Sequence, residues 1–161
     1  MDTRIGLGGS SSKSISTTNK YANYPTATIE YAVAGANRPI YPHHLKVDFG
    51  GSLLTDTICS GQYYMRVKTE VPNSLLGTSN TTLSFRSIND QGNSTSYQSV
   101  VYAKLKYAHT FILENTTTYS FSANNLLGAK ALFAFTSSTI GTQSKDEIFL
   151  LDLTNNLRIS V

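Results

Sequence analysis

His43 and His44 stand side by side, with Asp48 and Cys59 close by in the chain. These are the residue types of a metal centre or of acid and base chemistry. In an extended segment, however, neighbouring side chains point to opposite faces, so the two imidazoles cannot converge on one ion. The CxxC, HxH and HExxH spacings are also missing. No metal site is expected, and the pair reads as the opening of a strand after Pro42. His109 falls on the apolar parity of its segment and reads as a hydrogen-bonded core histidine.

A nucleophile fares no better. There is no G-x-S-x-G elbow, and the one charged residue within three positions of Cys59 is Asp56, which disfavours a thiolate. Cys59 reads as a small buried filler. The glycines and serines from Gly6 to Ser14 superficially resemble a phosphate loop, yet Ser12, not glycine, precedes Lys13 and no strand can lead in. Asp146 and Glu147 are adjacent at a strand entrance and read as solvated. The chain is therefore expected to be no enzyme and to carry no cofactor.

Ten tyrosines and no tryptophan remain to be explained. Tyr63, Tyr64, Tyr97, Tyr102 and Tyr107 would suit an aromatic face for a sugar ring, because tyrosine joins an apolar body to a polar tip. The same residues on alternate positions also describe core or protein interface, which is the preferred reading. The alternative, a glycan-binding β-sandwich module, lectin-like or receptor-binding, places its contacts at Tyr97, Asn89, Asn93 and Asn124.

What must position these residues is a set of strands. Apolar and polar side chains alternate in Ala27–Val33, Leu45–Phe49, Tyr63–Val71, Leu83–Arg86, Val101–Phe111, Tyr119–Phe121 and Leu157–Val161, the period of a half-buried strand. Leu53–Ile58 is a weaker candidate. Gly50 with Gly51, and Ser60 with Gly61, mark turns, and Pro72 ends a strand. Asn155 and Asn156 form a two-residue connection, since Asn tolerates the positive φ of a type I′ hairpin. Residues 131–135 and 148–151 are apolar on both parities, as in central or interface strands. At most one short helical turn fits between Ala123 and Ala131. Nine or ten strands without intervening helices predict an all-β protein, an antiparallel sandwich of jelly-roll type.

Length and composition set the limits. A chain of 161 residues fits one domain, expected over residues 25–161. Residues 1–24 are rich in Gly and Ser and are expected to form a flexible arm, with Ile5, Leu7 and Ile15 as anchors on a neighbour. A lone cysteine excludes an intrachain disulfide. The net charge of +3 is scattered, without the basic stripe that nucleic acid requires. No run is apolar enough for a signal peptide or a membrane span, so synthesis in a host cytoplasm and no membrane partner are expected. The sequons at Asn80, Asn93 and Asn115 are as frequent as chance predicts.

Only 14% of residues are charged, against about 25% in typical domains, while Ser and Thr number 20 each and Asn 12. Hydroxyls and amides are covered at a contact without the desolvation cost of ions. The expectation is a structural protein of an assembly, with homo- or hetero-oligomeric protein partners. In composition the chain resembles tailed-phage structural proteins, which implies a virion component such as a capsid decoration, capsid or tail-associated protein. Its interface residues are expected at Ile5, Leu7, Ile15, Phe133, Phe135, Phe149 and Leu151.

Overall fold

The computed structural model describes residues 3–36, 41–110, 112, 149–153 and 155–160. Among them are ten strands: β1 (Thr3–Gly6), β2 (Ser10–Ser16), β3 (Thr26–Ala36), β4 (Pro42–Phe49), β5 (Ser52–Ser60), β6 (Gln62–Pro72), β7 (Asn80–Ile88), β8 (Tyr97–Lys106), β9 (Phe149–Asp152) and β10 (Leu157–Ser160). A single 3-10 turn, Asn73–Leu75, interrupts them. The chain divides into two compact units, Met1–Thr110 and Phe111–Val161. The division thus falls after Thr110, and not after residue 24 as composition led us to expect.

In the first unit the antiparallel pairs β1·β8, β2·β7, β3·β6 and β4·β5 nest inside one another. The chain therefore forms one long two-stranded ribbon with its tip at β4–β5. The ribbon is rolled up, and the pairs β3·β8 and β4·β7 join its arms into two four-stranded sheets, ordered β1-β8-β3-β6 and β2-β7-β4-β5. This is an antiparallel β-sandwich with the jelly-roll order of strands. The tip is a two-residue turn in which Gly50 and Gly51 have φ of 56° and 84° and Phe49 pairs with Ser52. Positive φ at both central positions is what a type I′ hairpin demands, and glycine meets it at least steric cost.

The parity of the sequence becomes the inside and outside of this sandwich. Ala27, Ile29, Tyr31 and Val33 of β3 face Leu45, Val47 and Phe49 of β4 and Leu83 and Phe85 of β7 in one buried cluster. Tyr31 and Phe85 meet edge to face across the two sheets, with ring centroids 5.6 Å apart. The Tyr31 hydroxyl, deep in this cluster, bonds Thr55 on β5, so its polar tip is satisfied. A bulge shifts the β3·β8 register between Ala32 and Val33 and leaves Val101 without a partner, 39% exposed. The inward parity of β8 thereby switches from Gln98 and Val100 to Leu105, which alternation alone does not reveal.

The Gly/Ser-rich start is not a flexible arm. It contributes one edge strand to each sheet: β1 pairs with β8, and β2 pairs with β7 over seven residues. Ile5 lies in the domain's own core at 2% exposure, and Ile15 packs against that core. Leu7 is half-buried in the connection between the two strands. Backbone pairing along a waiting sheet edge offsets the ordering entropy that glycine and serine impose, and composition cannot register that pairing.

In the second unit, β9 and β10 form a hairpin with Asp152 opposite Leu157. Its connection therefore spans 153–156, four residues where Asn155 and Asn156 alone were expected. Asn156 does take a positive φ of 55°, and the Asp152 carboxylate accepts bonds from the backbone and side-chain N–H of Asn155. That Asx-type bonding favours the wider loop. Leu151 is 53% exposed. The strand expected at Tyr119–Phe121, the helical turn, and Phe133, Phe135 and Asn124 lie outside the described residues, as does the side chain of Phe149.

Candidate functional site

The adjacent histidines go to opposite sides of β4, as the strand geometry requires. His43 is fully buried; its Nε2–H donates to the Gly61 carbonyl (2.9 Å), so its Nδ1 accepts from the Ser96 hydroxyl (2.7 Å). Burial pushes the imidazole below its ordinary pKa, opposed in part by the Gly61 carbonyl. A serine bonded to a histidine is the beginning of a nucleophile, but Ser96 is 1% exposed and no substrate reaches it. The pair is a structural tie between β4 and the start of β8.

His44 lies on the outer face of the second sheet. Its Nε2–H and Nδ1–H donate to Asp56 and Asp90, each at 2.6 Å. The bond to Asp56, helped by Asp90, raises its pKa against a smaller desolvation effect. Lys46 bonds the other oxygen of Asp56 (2.8 Å), and Arg86 bonds Asp48 (2.8 Å). Because the two carboxylates sit on opposite edges of the His44 ring, they clamp an imidazolium and do not form a cation cage. No cluster suited to a metal ion occurs among the described residues. Every charged group named on this face is matched by an opposite one.

The outer face of the first sheet is built differently. Register places Arg4, Ser99, Ala34 and Tyr64 in one row across β1, β8, β3 and β6. The next row holds Tyr102, Ala32 and Arg66, the next Lys104, Glu30 and Lys68, and the last Lys106, Thr28 and Glu70. Tyr97, beside Arg4 at the other end, has that guanidinium 3.8 Å above its ring. Strands lie about 4.8 Å apart, so Arg4 and Tyr64 bracket about 14 Å of face floored by the small residues Ser99 and Ala34. Tyr64 is 62% exposed. Glu30 accepts bonds from the Tyr102 hydroxyl (2.6 Å) and from Arg66 Nε (3.0 Å) and Nη2 (2.8 Å). The Tyr102 bond first, and Arg66 after it, hold the Glu30 carboxyl below its ordinary pKa.

The structure sorts the expected tyrosines. Tyr64, Tyr97 and Tyr102 share this outer face. Tyr63 turns inward, donates to Gln98 (2.9 Å) and meets the His43 ring edge to face, and burial raises its pKa. Tyr107 bonds the Thr18 carbonyl and packs on the core. Of the other residues proposed for a glycan, Asn93 donates to the Pro42 carbonyl and so braces its own loop, while Asn89 is exposed beside Gly8. Arg4, Ala34, Ser99, Arg66 and Glu30 were missed because only cross-strand register brings them together. The signal available was the placement of Ala32 and Ala34 on the outward parity of β3. The small side chain leaves the sheet face low at half-buried Ala34, whereas Ala32, between Tyr102 and Arg66, is fully covered.

No protein-family model and no curated protein matches the chain. Among solved structures it is similar to the CBM36-1 domain of a multidomain xylanase from the hindgut metagenome of Trinervitermes trinervoides, at 16% identity and a TM-score of 0.44 over 68% of this chain and 88% of that one. It is also similar to a carbohydrate-binding module CBM36 in complex with calcium and xylotriose, at 14% identity and a TM-score of 0.41 over 63% and 78% of the two chains. A third is dimeric latent PorU from Porphyromonas gingivalis, at 11% identity and a TM-score of 0.45 over 73% of this chain and 12% of that one. At these values the function has to be argued from the residues of this chain.

Proposed function

We propose that the first unit is a non-catalytic carbohydrate-binding module that seats a sugar ring on the outer face of the sheet β1-β8-β3-β6. The ring lies over Ala34 and Ser99, with Tyr64 on one side and Tyr97 beneath Arg4 on the other. The observation that carries this reading is the low floor of small side chains between the exposed Tyr64 and the half-buried Tyr97. A pyranose offers C–H groups on its face and hydroxyls on its rim. Tyrosine rings pack against the former, and the Ser99 hydroxyl in the floor meets the latter.

Titration of the protein against a glycan array, followed by affinity measurement on the hits, tests the proposal. Replacing Tyr64, which is exposed and outside the core, should weaken binding about tenfold, the equivalent of about 1.4 kcal/mol for one lost stacking contact. Tyr24→Ala, at an exposed tyrosine outside these rows, should bind as the parent does. A silent array at high protein concentration, or unchanged binding by Tyr64→Ala, refutes the reading. The virion role rested on low charge, Ser-, Thr- and Asn-rich strands, a single cysteine, a bridging arm and strands apolar on both faces. One of them, Ala131–Phe135, lies outside the described residues, and no specific observation favours that role over the present one.

A further inference from the structure

The two outer faces of the sandwich differ in charge balance. On the second sheet, Lys46, Arg86 and His44 are each bonded to a carboxylate. On the first, Arg4, Arg66, Lys68, Lys104 and Lys106 share the face with just two carboxylates, Glu30 and Glu70. Glu30 is already taken by Arg66 and Tyr102. Among the described residues, Lys68, Lys104 and Lys106 make no ion pair, and all three are exposed. They flank Glu30 and Thr28 in the two rows that continue the tyrosine rows along β3, so aromatic and cationic parts form one track. From Ala34 to Thr28 that track is about 20 Å long.

We propose that this track selects an anionic polysaccharide, a polyuronate with one carboxylate per ring, whose sugar faces lie on the tyrosine rows and whose carboxylates meet Lys68, Lys104 and Lys106. This deepens the carbohydrate reading above and rests on it. The number and kind of cations separate a uronate from a sulfated chain. An arginine fork would match a carboxylate bidentately, but a lysine point charge also serves one, and three lysines spread over two rows suit one carboxylate per ring and fall short of the denser charge of a sulfated chain. Both arginines of this face are already engaged, Arg66 with Glu30 and Arg4 with Tyr97. The lysines are what remains.

The test is binding of the full chain to polygalacturonate, to a neutral polysaccharide, to a sulfated polysaccharide and to single-stranded DNA, each at low and high salt. Polygalacturonate should bind best and weaken by about fivefold or more as salt screens the lysines. The double substitution Lys68→Gln with Lys104→Gln should weaken it about tenfold. Lys13→Gln, on edge strand β2 of the other sheet, should not change it. Equal or tighter binding of the neutral polysaccharide, indifferent to salt and to the lysine pair, overturns the inference and leaves the carbohydrate reading standing. Preference for the sulfated chain overturns the uronate assignment, and DNA bound as tightly as polygalacturonate overturns carbohydrate selectivity. Silence of all three polysaccharides removes the parent reading itself.

Discussion

The buried bond between His43 and Ser96 makes a quantitative prediction about how this sandwich is held together. In His43→Phe the ring contact with Tyr63 persists in outline, but the Ser96 hydroxyl and the Gly61 carbonyl lose their partner away from water. Each stranded group costs about 1–3 kcal/mol, partly offset by the apolar gain of the phenyl ring, so a net loss of about 2–4 kcal/mol is expected. Ser96→Ala alone strands the imidazole Nδ1 and should cost about 1–3 kcal/mol. In the double variant the stranded hydroxyl is gone, so Ser96→Ala should cost almost nothing in the phenylalanine background. Urea unfolding of the four proteins at neutral pH measures this coupling, expected near 1–3 kcal/mol. Additive losses would refute the bond as a tie.

The same pair fixes the sign of a pH effect. Burial lowers the pKa of His43 in the folded protein. Its contribution is therefore present above the unfolded value near 6.5 and is lost as pH falls through the lower folded one. On acidification the parent should lose stability relative to His43→Phe, and a difference in the other direction contradicts the assigned burial. His44 is common to both proteins, so its opposite effect cancels in the comparison.

Three further outcomes follow from named contacts. In an NMR titration the two imidazoles should separate, His43 titrating below and His44 above the ordinary range; His44→Gln should therefore cost stability in acid and less as pH rises through the raised folded value, and a reversed order of titration removes the clamp. Gly50→Ala should destabilise far more than Gly51→Ala, because a Cβ at Gly50 would meet the Leu75 carbonyl oxygen at 2.4 Å while one at Gly51 meets nothing within 4 Å. Thermal melts should show about 1–2 kcal/mol for the left-handed backbone at Gly51 and more at Gly50; equal losses would contradict this packing. Ile5→Ala should cost about 2–4 kcal/mol in urea, as a core truncation does, whereas an unchanged midpoint would restore the flexible arm.

How much of this was legible in the chain depends on which pairs of residues the argument needs. Alternation within a strand is local, so the inward residues Ile29 and Tyr31 of β3, Leu45, Val47 and Phe49 of β4, and Leu83 of β7 could be named from parity alone. So could the opposite fates of His43 and His44. Register is not local: nothing in the chain states that Arg4 lies level with Tyr64, or that Lys68 and Lys104 flank Glu30. The bulge at Val101 shows the limit most directly, since one unpaired residue exchanges inside for outside over the rest of β8. The arm fails for a related reason, because a weak strand is stabilised by the sheet edge it finds. The candidate face is thus a product of topology. Rolling the ribbon sets β8 beside β3, and only then do tyrosines and lysines remote in sequence share one surface.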